Sequence, residues 1–289
     1  MSKNPEKGKG QVVVREEQGE RDLLAQIIEE GRLARNESQV EQAKDLISEF
    51  VSQVMSGEMV VSRDLEASIN ARVAAIDQLV SAQLNEIMHN AEFQRLEASW
   101  RGLHHLVFES ETGPMLKIRV LNVSKKDLLK DLERAAEFDQ SALFKKVYEE
   151  EYGTFGGAPF SALIGDYEFS NHPQDLALLE KVSQVAAAAN APFISAASPE
   201  LFGWDTFTDL GEVRDLAKIF DRTEYAKWRS FRDSEDSRYV GLTLPHTLMR
   251  LPYGKETVPT ETFNFEEDVD GRDHKKYLWG NAATPSAPA

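Results

Sequence analysis

The stretch that decides the fold is FSALIGDYEF at 160–169, followed by PQDLALLEKVSQVAAAAN at 173–190 and APFISAA at 191–197. The first and last pieces are short and apolar, and turn residues bound them, which is typical of buried strands. The middle piece carries leucine and valine at helical spacing and begins with Pro173, as first helical turns often do. A strand, a helix and a strand at this spacing predict a βαβ unit with parallel strands.

Further elements are predicted on both sides of this unit. MLKIRVLNV at 115–123 is predicted to be a strand, and Ser124 with Asp127 is predicted to cap the helix that follows it. Downstream, we expect a helical stretch over 212–236 and then a strand in SRYVGLTL at 237–244. The second half of the chain is therefore predicted to be α/β.

The part that precedes residue 110 has helical periodicity. Residues 1–20 are polar and charged and predict a mobile tail. A helix is predicted for RDLLAQIIEEGRLAR at 21–35, and a second begins at Asn36. A third helical stretch carries a seam of apolar residues at steps of three and four. The seam consists of Leu65, Ile69, Val73, Ile76, Val80, Leu84 and Ile87. This seam fits a partner helix as well as a core of its own.

Composition excludes several classes of protein. The chain of 289 residues has no cysteine, so disulfides, thiolate nucleophiles and cysteine-ligated zinc are excluded. Its formal charge of −16 argues against a nucleic-acid binder, which concentrates Lys and Arg on one face. No apolar run approaches the about 20 residues that cross a bilayer. These features favour a protein partner and a reducing cytoplasm, with no membrane insertion.

Asp166 and Glu168 are the best candidates for catalytic carboxylates, because functional groups of α/β enzymes often follow the end of a parallel strand. An enzyme that uses them is an alternative hypothesis. Acids at such positions also cap following helices, and no second convergent group accompanies these two. The favoured interpretation is that the chain is not an enzyme and needs no cofactor.

Two other stretches resemble ligand sites only superficially. GTFGGAPF at 153–160 precedes a strand, whereas a phosphate loop follows one and leads into a helix. EEDVDGRDHKKY at 266–277 imitates a calcium loop but has Tyr277 where a bidentate Glu is required. The scattered histidines form no H-E-x-x-H pattern. We predict a structural turn, a solvated acidic loop and no metal site.

Long blocks of the sequence resemble a known family, and they occur in the order that the family has them. They are FQRLEASWRGLHHLV, ALIGDYEF, PFISAASPELFGWDTFTDL, RDLAKIFDRTEYAKWRSFRDSEDSRYVGLTLP, RLPYG, FNFEEDVDG and DHKKYLWGNAA. Together they resemble the large subunit of the type VI secretion contractile sheath, the TssC, VipB or EvpB family. The resemblance runs from about Asp22 to Ala283.

The resemblance implies a bacterial cytoplasmic structural protein. Members of the family pair with a small sheath subunit, TssB or VipA, and with neighbouring large subunits. Their rings stack around a tube of Hcp protein, and the ClpV ATPase recycles contracted sheath by engaging the N-terminal region of the large subunit. The matching segment here is the first predicted helix. We expect its apolar face, Leu23, Leu24, Ile27 and Ile28, to bind a ClpV-type ATPase. Packing of that face on the second helix is the alternative.

The predicted organisation is a disordered tail at 1–20, N-terminal helices with the candidate ATPase-recognition region at 21–57, a helical arm at 58–110, an α/β sheath domain at 111–280 and a disordered tail at 281–289. The family continues beyond LWGNAA into a C-terminal half, which TPSAPA does not resemble. We therefore expect a helical N-terminal third and a mixed α/β domain that is incomplete at its C-terminus. A stand-alone module that only binds the ATPase is a further alternative.

Overall fold

The computed structural model describes residues 37–55, 65–261 and 263–287. The predicted tail at 1–20 and the candidate ATPase-binding residues Leu23, Leu24, Ile27 and Ile28 lie outside the described residues. The chain divides into two compact units, Met1–Val80 and Ser81–Ala289. This division falls inside the predicted helical arm.

The described part of the first unit is helical. Helix α1 spans Glu37–Met55, and helix α2 spans Leu65–Met88, so that its last turns belong to the second unit. The seam residues Ile69, Val73, Ile76 and Val80 are each between 41% and 50% exposed. The described part of the first unit therefore does not bury this seam, and its partner stays a prediction.

The second unit begins with helices that have well-formed N-terminal caps. Helix α3 spans Ala91–Phe108 and starts where the side chain of Asn90 accepts hydrogen bonds from two backbone N–H groups. Helix α4 spans Lys125–Arg134, and Ser124 caps it by accepting a bond from the N–H of Asp127, as predicted. A single turn, α5 at Ala142–Phe144, continues into a π-helical turn at Lys145–Glu149.

The βαβ unit is confirmed. Strand β1 spans Leu163–Phe169, helix α6 spans Pro173–Ala189, strand β2 spans Phe193–Ala197, and strand β3 spans Val240–Thr243. The three strands form a parallel sheet in the order β1-β2-β3. Helix α6 supplies much of the core against this sheet. The residues that are at most 1% exposed here include Phe169, Leu178, Leu179, Val182, Val185 and Ala186.

The pairing of strand β1 with β2 is irregular between Ile164 and Glu168, which the sequence did not predict. The hydroxyl of the buried Ser195 donates to the carbonyl oxygens of Gly165 and Tyr167, both at 2.8 Å. A Cβ at Gly165 would lie 2.6 Å from the ring of Phe193. Glycine is therefore required where β1 departs from regular pairing.

Two predicted elements differ from the structure. Residues 115–123 form no strand, since no neighbouring strand pairs with them in the described part of the chain. Over 212–236 the predicted single helix is broken into short 3-10 turns, and only α7, Ala226–Arg232, is a regular helix. Arg229 donates to the carbonyl oxygens of Phe220 and Arg222, which a continuous helix would use internally.

The C-terminal segment also differs from the prediction. Strands β4, Thr247–Leu248, and β5, Trp279–Gly280, form a two-stranded antiparallel sheet, and a single turn of helix, α8, follows at Ala283–Ser286. The expected disordered tail at 281–289 is wrong for its first residues. Asn281, Ala282, Ala283 and Thr284 are at most 7% exposed. Their small side chains, which favoured disorder in the sequence, allow close packing instead.

The remaining short 3-10 turns connect these elements. They are Phe138–Gln140, Pro199–Phe202, Phe207–Glu212, Ala217–Asp221, Thr223–Tyr225, Glu235–Tyr239 and His274–Lys276.

Candidate functional site

The two candidate catalytic carboxylates contact different partners. Asp166 accepts a hydrogen bond from the hydroxyl of Ser99 on α3. Glu168 lies with its Oε1 2.8 Å from Nε2 of His246. Neither carboxylate lines the two best-defined cavities in the described part of the chain, which have volumes of about 440 and about 340 Å³. The geometry therefore does not favour the enzyme alternative.

The acidic loop holds its own side chains by local bonds. Asp270 Oδ1 accepts from the N–H groups of Arg272 and Asp273, and these bonds hold the pKa of Asp270 below its usual range. The ammonium group of Lys276 bonds Asp268 at 2.5 Å, and this bond raises the pKa of Lys276. Among the described residues, no group of three or more His, Asp or Glu side chains is arranged to hold a metal ion.

A buried ion-pair network lies between helix α3 and the loops that flank the acidic segment. Arg250 donates from Nη1 to Glu267 Oε2 at 2.6 Å and from Nη2 to Oε1 at 3.0 Å. Its Nε donates to Glu97 of α3 at 2.9 Å, and Arg101, one turn later, bonds the same carboxylate at 2.7 Å. The side chains of Arg250 and Glu267 are 7% and 1% exposed. Such a bidentate pair fixes orientation as well as charge.

Glu267 accepts more bonds than those from Arg250. The backbone N–H of Tyr253 donates to its Oε2 at 3.0 Å, and Nε2 of His89 lies 3.5 Å from its Oε1. Burial alone would raise the pKa of Glu267, but the hydrogen bonds from Arg250 and Tyr253 outweigh it and hold the pKa below the usual value of 4.5. The network thus links His89 and helix α3 to the segments that carry Arg250, Tyr253 and Glu267.

Helix α3 presents two very different faces. Ala98, Gly102 and Leu106 are buried, whereas the opposite face carries large apolar side chains in contact with solvent. We define the α3 stripe as Phe93, Leu96, Trp100 and Phe108, which are 39%, 57%, 65% and 72% exposed. These residues are three, four and eight positions apart and lie on one side of the helix.

The buried face of α3 is held by the last described segment of the chain. A Cβ at Gly102 would lie 2.5 Å from Oγ1 of Thr284, so glycine permits the contact between α3 and α8. Ala98 of α3 lies against Gly280 of β5, 3.2 Å from a Cβ built there. The side chain of Asn281 donates to the carbonyl oxygen of Tyr167 at 2.9 Å. The segment from β5 to α8 therefore joins α3 to strand β1.

Comparison with known proteins shows to which family the chain belongs. The family model described as EvpB/VC_A0108, tail sheath N-terminal domain, matches residues 70–287. The chain belongs to this VipB family of tail sheath proteins. The resemblance of the sequence blocks is thereby confirmed, and so is the mixed α/β fold class. Because a tail sheath is a structural assembly, membership agrees with the prediction that the chain is not an enzyme.

A curated relative with high sequence identity supports the same family. The type VI secretion system sheath protein TssC1 of Pseudomonas aeruginosa is 54% identical over 225 residues, which is 77% of this chain and 45% of the relative. The chain thus spans about half the length of that VipB-family relative. In the described part of the chain, no helix is long and apolar enough to cross a membrane.

Proposed function

We propose that this chain is a structural subunit of a bacterial type VI secretion contractile sheath, of the large-subunit type. The match to the tail sheath N-terminal domain over residues 70–287 carries this proposal. The relative that is named a type VI secretion system sheath protein supports it. In this role the chain works in the cytoplasm, pairs with a small sheath subunit of the TssB or VipA type, and contacts neighbouring large subunits around an Hcp tube.

The exposed apolar surface supports an assembly role. In the described residues, large apolar side chains that are at least 36% exposed occur along α2, along α3 and at Met115–Leu121. Soluble monomers rarely keep so much apolar surface in water, and larger patches mark interaction sites. A subunit that buries these side chains against partners needs no catalytic group of its own.

Co-expression with a small sheath subunit tests the proposed function. The 289-residue chain should co-purify with a tagged small subunit of the TssB type and elute as a complex in size-exclusion chromatography. The matched control is the same chain with an unrelated tagged basic protein, because a chain with a net charge of −16 would show any charge-driven association there. A chain that stays monomeric beside the small subunit contradicts the proposal.

The ATPase contact is tested separately. Leu23, Leu24, Ile27 and Ile28 share one predicted helical face, which suits the groove of a ClpV-type ATPase. Deletion of residues 1–35 should abolish binding to ClpV while pairing with the small subunit persists. Leu24→Asp and Ile28→Asp should do the same, whereas Gln26→Asp on the polar side should not. Undiminished ATPase binding by the deletion variant rules out this segment as the contact. Loss of both partners shows a defect in folding instead.

A further inference from the structure

One aromatic side chain of the second unit receives no cover from its own chain. Phe155 is fully exposed, in a loop that also contains Gly153, Gly156 and Gly157. Tyr152, at the start of this loop, is 51% exposed. We define the Phe155 loop as residues 152–157. Because the three glycines carry no side chains beside the ring, Phe155 is free to enter a pocket of another molecule, as aromatic anchors of interfaces do.

The same unit contains a cavity that suits an aromatic ring. It has a volume of about 440 Å³ and lies beside strand β3 and helix α7. We call it the β3 cavity. Its aromatic lining consists of Phe202, Phe220, Trp228 and Phe231. An apolar cavity of about 150 Å³ is enough to bind benzene. The β3 cavity therefore has room for a phenylalanine side chain together with part of the loop that carries it.

Trp228 gives a second reason to expect an occupant in the β3 cavity. The residue is 8% exposed, and its indole N–H is buried without a hydrogen-bond acceptor among the described residues. Buried donors are nearly always paired, so this one requires an explanation. Backbone carbonyl groups of a glycine-rich loop are accessible acceptors, because glycine lets the backbone approach closely. A loop that carries both an aromatic ring and glycines would fill the cavity and pair the indole N–H.

The charges around the two surfaces are complementary. Among the described residues that line the β3 cavity, Arg232 alone is charged, and it is exposed. The stretch 149–160, which contains the Phe155 loop, begins with Glu149, Glu150 and Glu151 and contains neither Lys nor Arg. Opposite charges at the edge of a contact orient the partners and suppress wrong ones. An acidic loop is therefore a better occupant of this cavity than a basic one.

The Phe155 loop and the β3 cavity are associated with opposite edges of the parallel sheet. The loop is followed by strand β1, whereas the cavity lies beside β3, and β2 separates these two strands. Since Phe155 is fully exposed, it does not fill the cavity of its own chain. A contact between two different surfaces of identical chains is heterologous, and it propagates into a ring or a helical filament.

We propose that the Phe155 loop of one copy of this chain inserts into the β3 cavity of a second copy. In this contact the loop carbonyl groups accept a hydrogen bond from Trp228, and the loop glutamates lie near Arg232. The inference rests on the proposed function and adds to it a direct contact between large subunits. An aromatic side chain covers only about 150 to 250 Å², whereas stable interfaces bury about 1,200 to 2,000 Å². A single contact is therefore weak and gains strength from repetition in an assembly.

Sedimentation velocity of the 289-residue chain tests this contact, at concentrations up to about 1 mM because a weak association is expected. The mean mass of the parent should rise beyond that of a dimer. Phe155→Ser should weaken the association by at least about 30-fold, as loss of a hot spot does. Leu251→Ser is the matched control, because Leu251 is also exposed and belongs to neither surface, and it should associate like the parent.

Two variants change the cavity instead of the loop. Leu244→Glu places a charge in its lining at a position that is 36% exposed, and it should weaken the association as strongly as Phe155→Ser. Arg232→Glu leaves the apolar lining intact, reverses the charge and should also weaken it. Urea unfolding verifies that each variant keeps the stability of the parent. If Leu244→Glu is destabilised, the result for Arg232→Glu decides.

Mixing the variants distinguishes a heterologous contact from a symmetric dimer. Phe155→Ser keeps the β3 cavity, and Leu244→Glu keeps the Phe155 loop. Each should be monomeric alone, and an equimolar mixture should form a dimer that does not grow further, because each dimer has one intact contact and no second one. A mixture that stays monomeric contradicts the heterologous arrangement.

Photo-cross-linking identifies the occupant directly. A photoreactive analogue, p-benzoylphenylalanine, placed at position 155 should cross-link to residues 226–244 of an isotope-labelled second copy. Four results overturn the inference. They are a parent chain that stays monomeric at every concentration, undiminished association of Phe155→Ser, equal weakening by Leu251→Ser, and cross-links to another region or to a co-expressed small sheath subunit.

Pairing with a small sheath subunit is measured in parallel and separates the two proposals. Phe155→Ser should keep this pairing while it loses self-association. A parent chain that pairs with the small subunit but does not self-associate contradicts the Phe155 contact and leaves the proposed function intact. A parent chain that self-associates through the β3 cavity but pairs with no small subunit contradicts the proposed pairing and supports the Phe155 contact.

Discussion

Arg250 and Glu267 form a buried, bidentate ion pair, with Nη1 to Oε2 at 2.6 Å and Nη2 to Oε1 at 3.0 Å. Both residues lie in segments without regular secondary structure. The pair nevertheless places Arg250 against Glu97 of helix α3. Ion pairs and side-chain hydrogen bonds thus hold these irregular segments in place. The helices and strands elsewhere are held by backbone hydrogen bonds and apolar packing.

Removal of one partner of this ion pair should lower the free energy of unfolding. Arg250→Met leaves the carboxylate of Glu267, 1% exposed, without its counter-charge, and breaking a buried pair in this way costs about 3 kcal/mol of unfolding free energy or more. Arg101→Met is the control, since Arg101 is 38% exposed and its loss should cost less than about 1 kcal/mol. Urea unfolding followed by circular dichroism measures both values. Equal small losses would show that the pair contributes little.

The same ion pair should affect how the free energy of unfolding depends on pH. The pKa of Glu267 is lowered in the folded state, so its stabilisation is fully present above the ordinary value of 4.5 and is lost as the pH falls through the lowered pKa. Glu267→Gln should therefore lower stability at pH 7 and flatten the fall in unfolding free energy below pH 4.5. Glu266→Gln, an exposed neighbour, controls for the loss of one charge. An unchanged acid slope in Glu267→Gln contradicts the assignment.

The contact of Gly102 with Thr284 gives a third prediction. Alanine has the better helix propensity, by about 1 kcal/mol, but its Cβ at position 102 would lie 2.5 Å from Oγ1 of the buried Thr284. Gly102→Ala should therefore destabilise the chain by about 1 to 3 kcal/mol, as overpacking does.

A double variant distinguishes overpacking from a local effect on the helix. Thr284→Ala removes the atoms that collide, so Gly102→Ala with Thr284→Ala should be more stable than the sum of the single changes predicts. Strict additivity would mean that α8 does not pack on α3 in solution. The experiment thereby also tests the packed C-terminal segment that the sequence predicted to be disordered.

The sequence was sufficient where structure is local. The cap of Ser124 on Asp127, Pro173 in the first turn of α6 and the strand around Phe169 follow from spacing and residue type within a few positions. Each of these features depends on groups that are neighbours in the chain, and each was predicted correctly.

The failures involve partners that are distant in the chain. A strand at 115–123 has the right composition, but a strand exists only when another pairs with it. The bond between Arg250 and Glu97 joins residues 153 positions apart, and no periodicity marks it. Thr284 is buried because Gly102 leaves room for it. The composition of the last residues does not reveal this contact.

The tryptophans give the final prediction. Trp279 is 38% exposed, although its Nε1 donates to the carbonyl oxygen of His274, whereas Trp228 is 8% exposed and packs on Phe231 in the core. An indole in contact with water emits at longer wavelength than a buried one. Trp279→Phe should therefore shift the mean emission of the chain to shorter wavelength, and Trp228→Phe should shift it to longer wavelength. Acrylamide should quench the emission that Trp279 contributes more strongly than that of Trp228. Shifts in the same direction, or a protected Trp279, would mean that another segment covers β5 in solution.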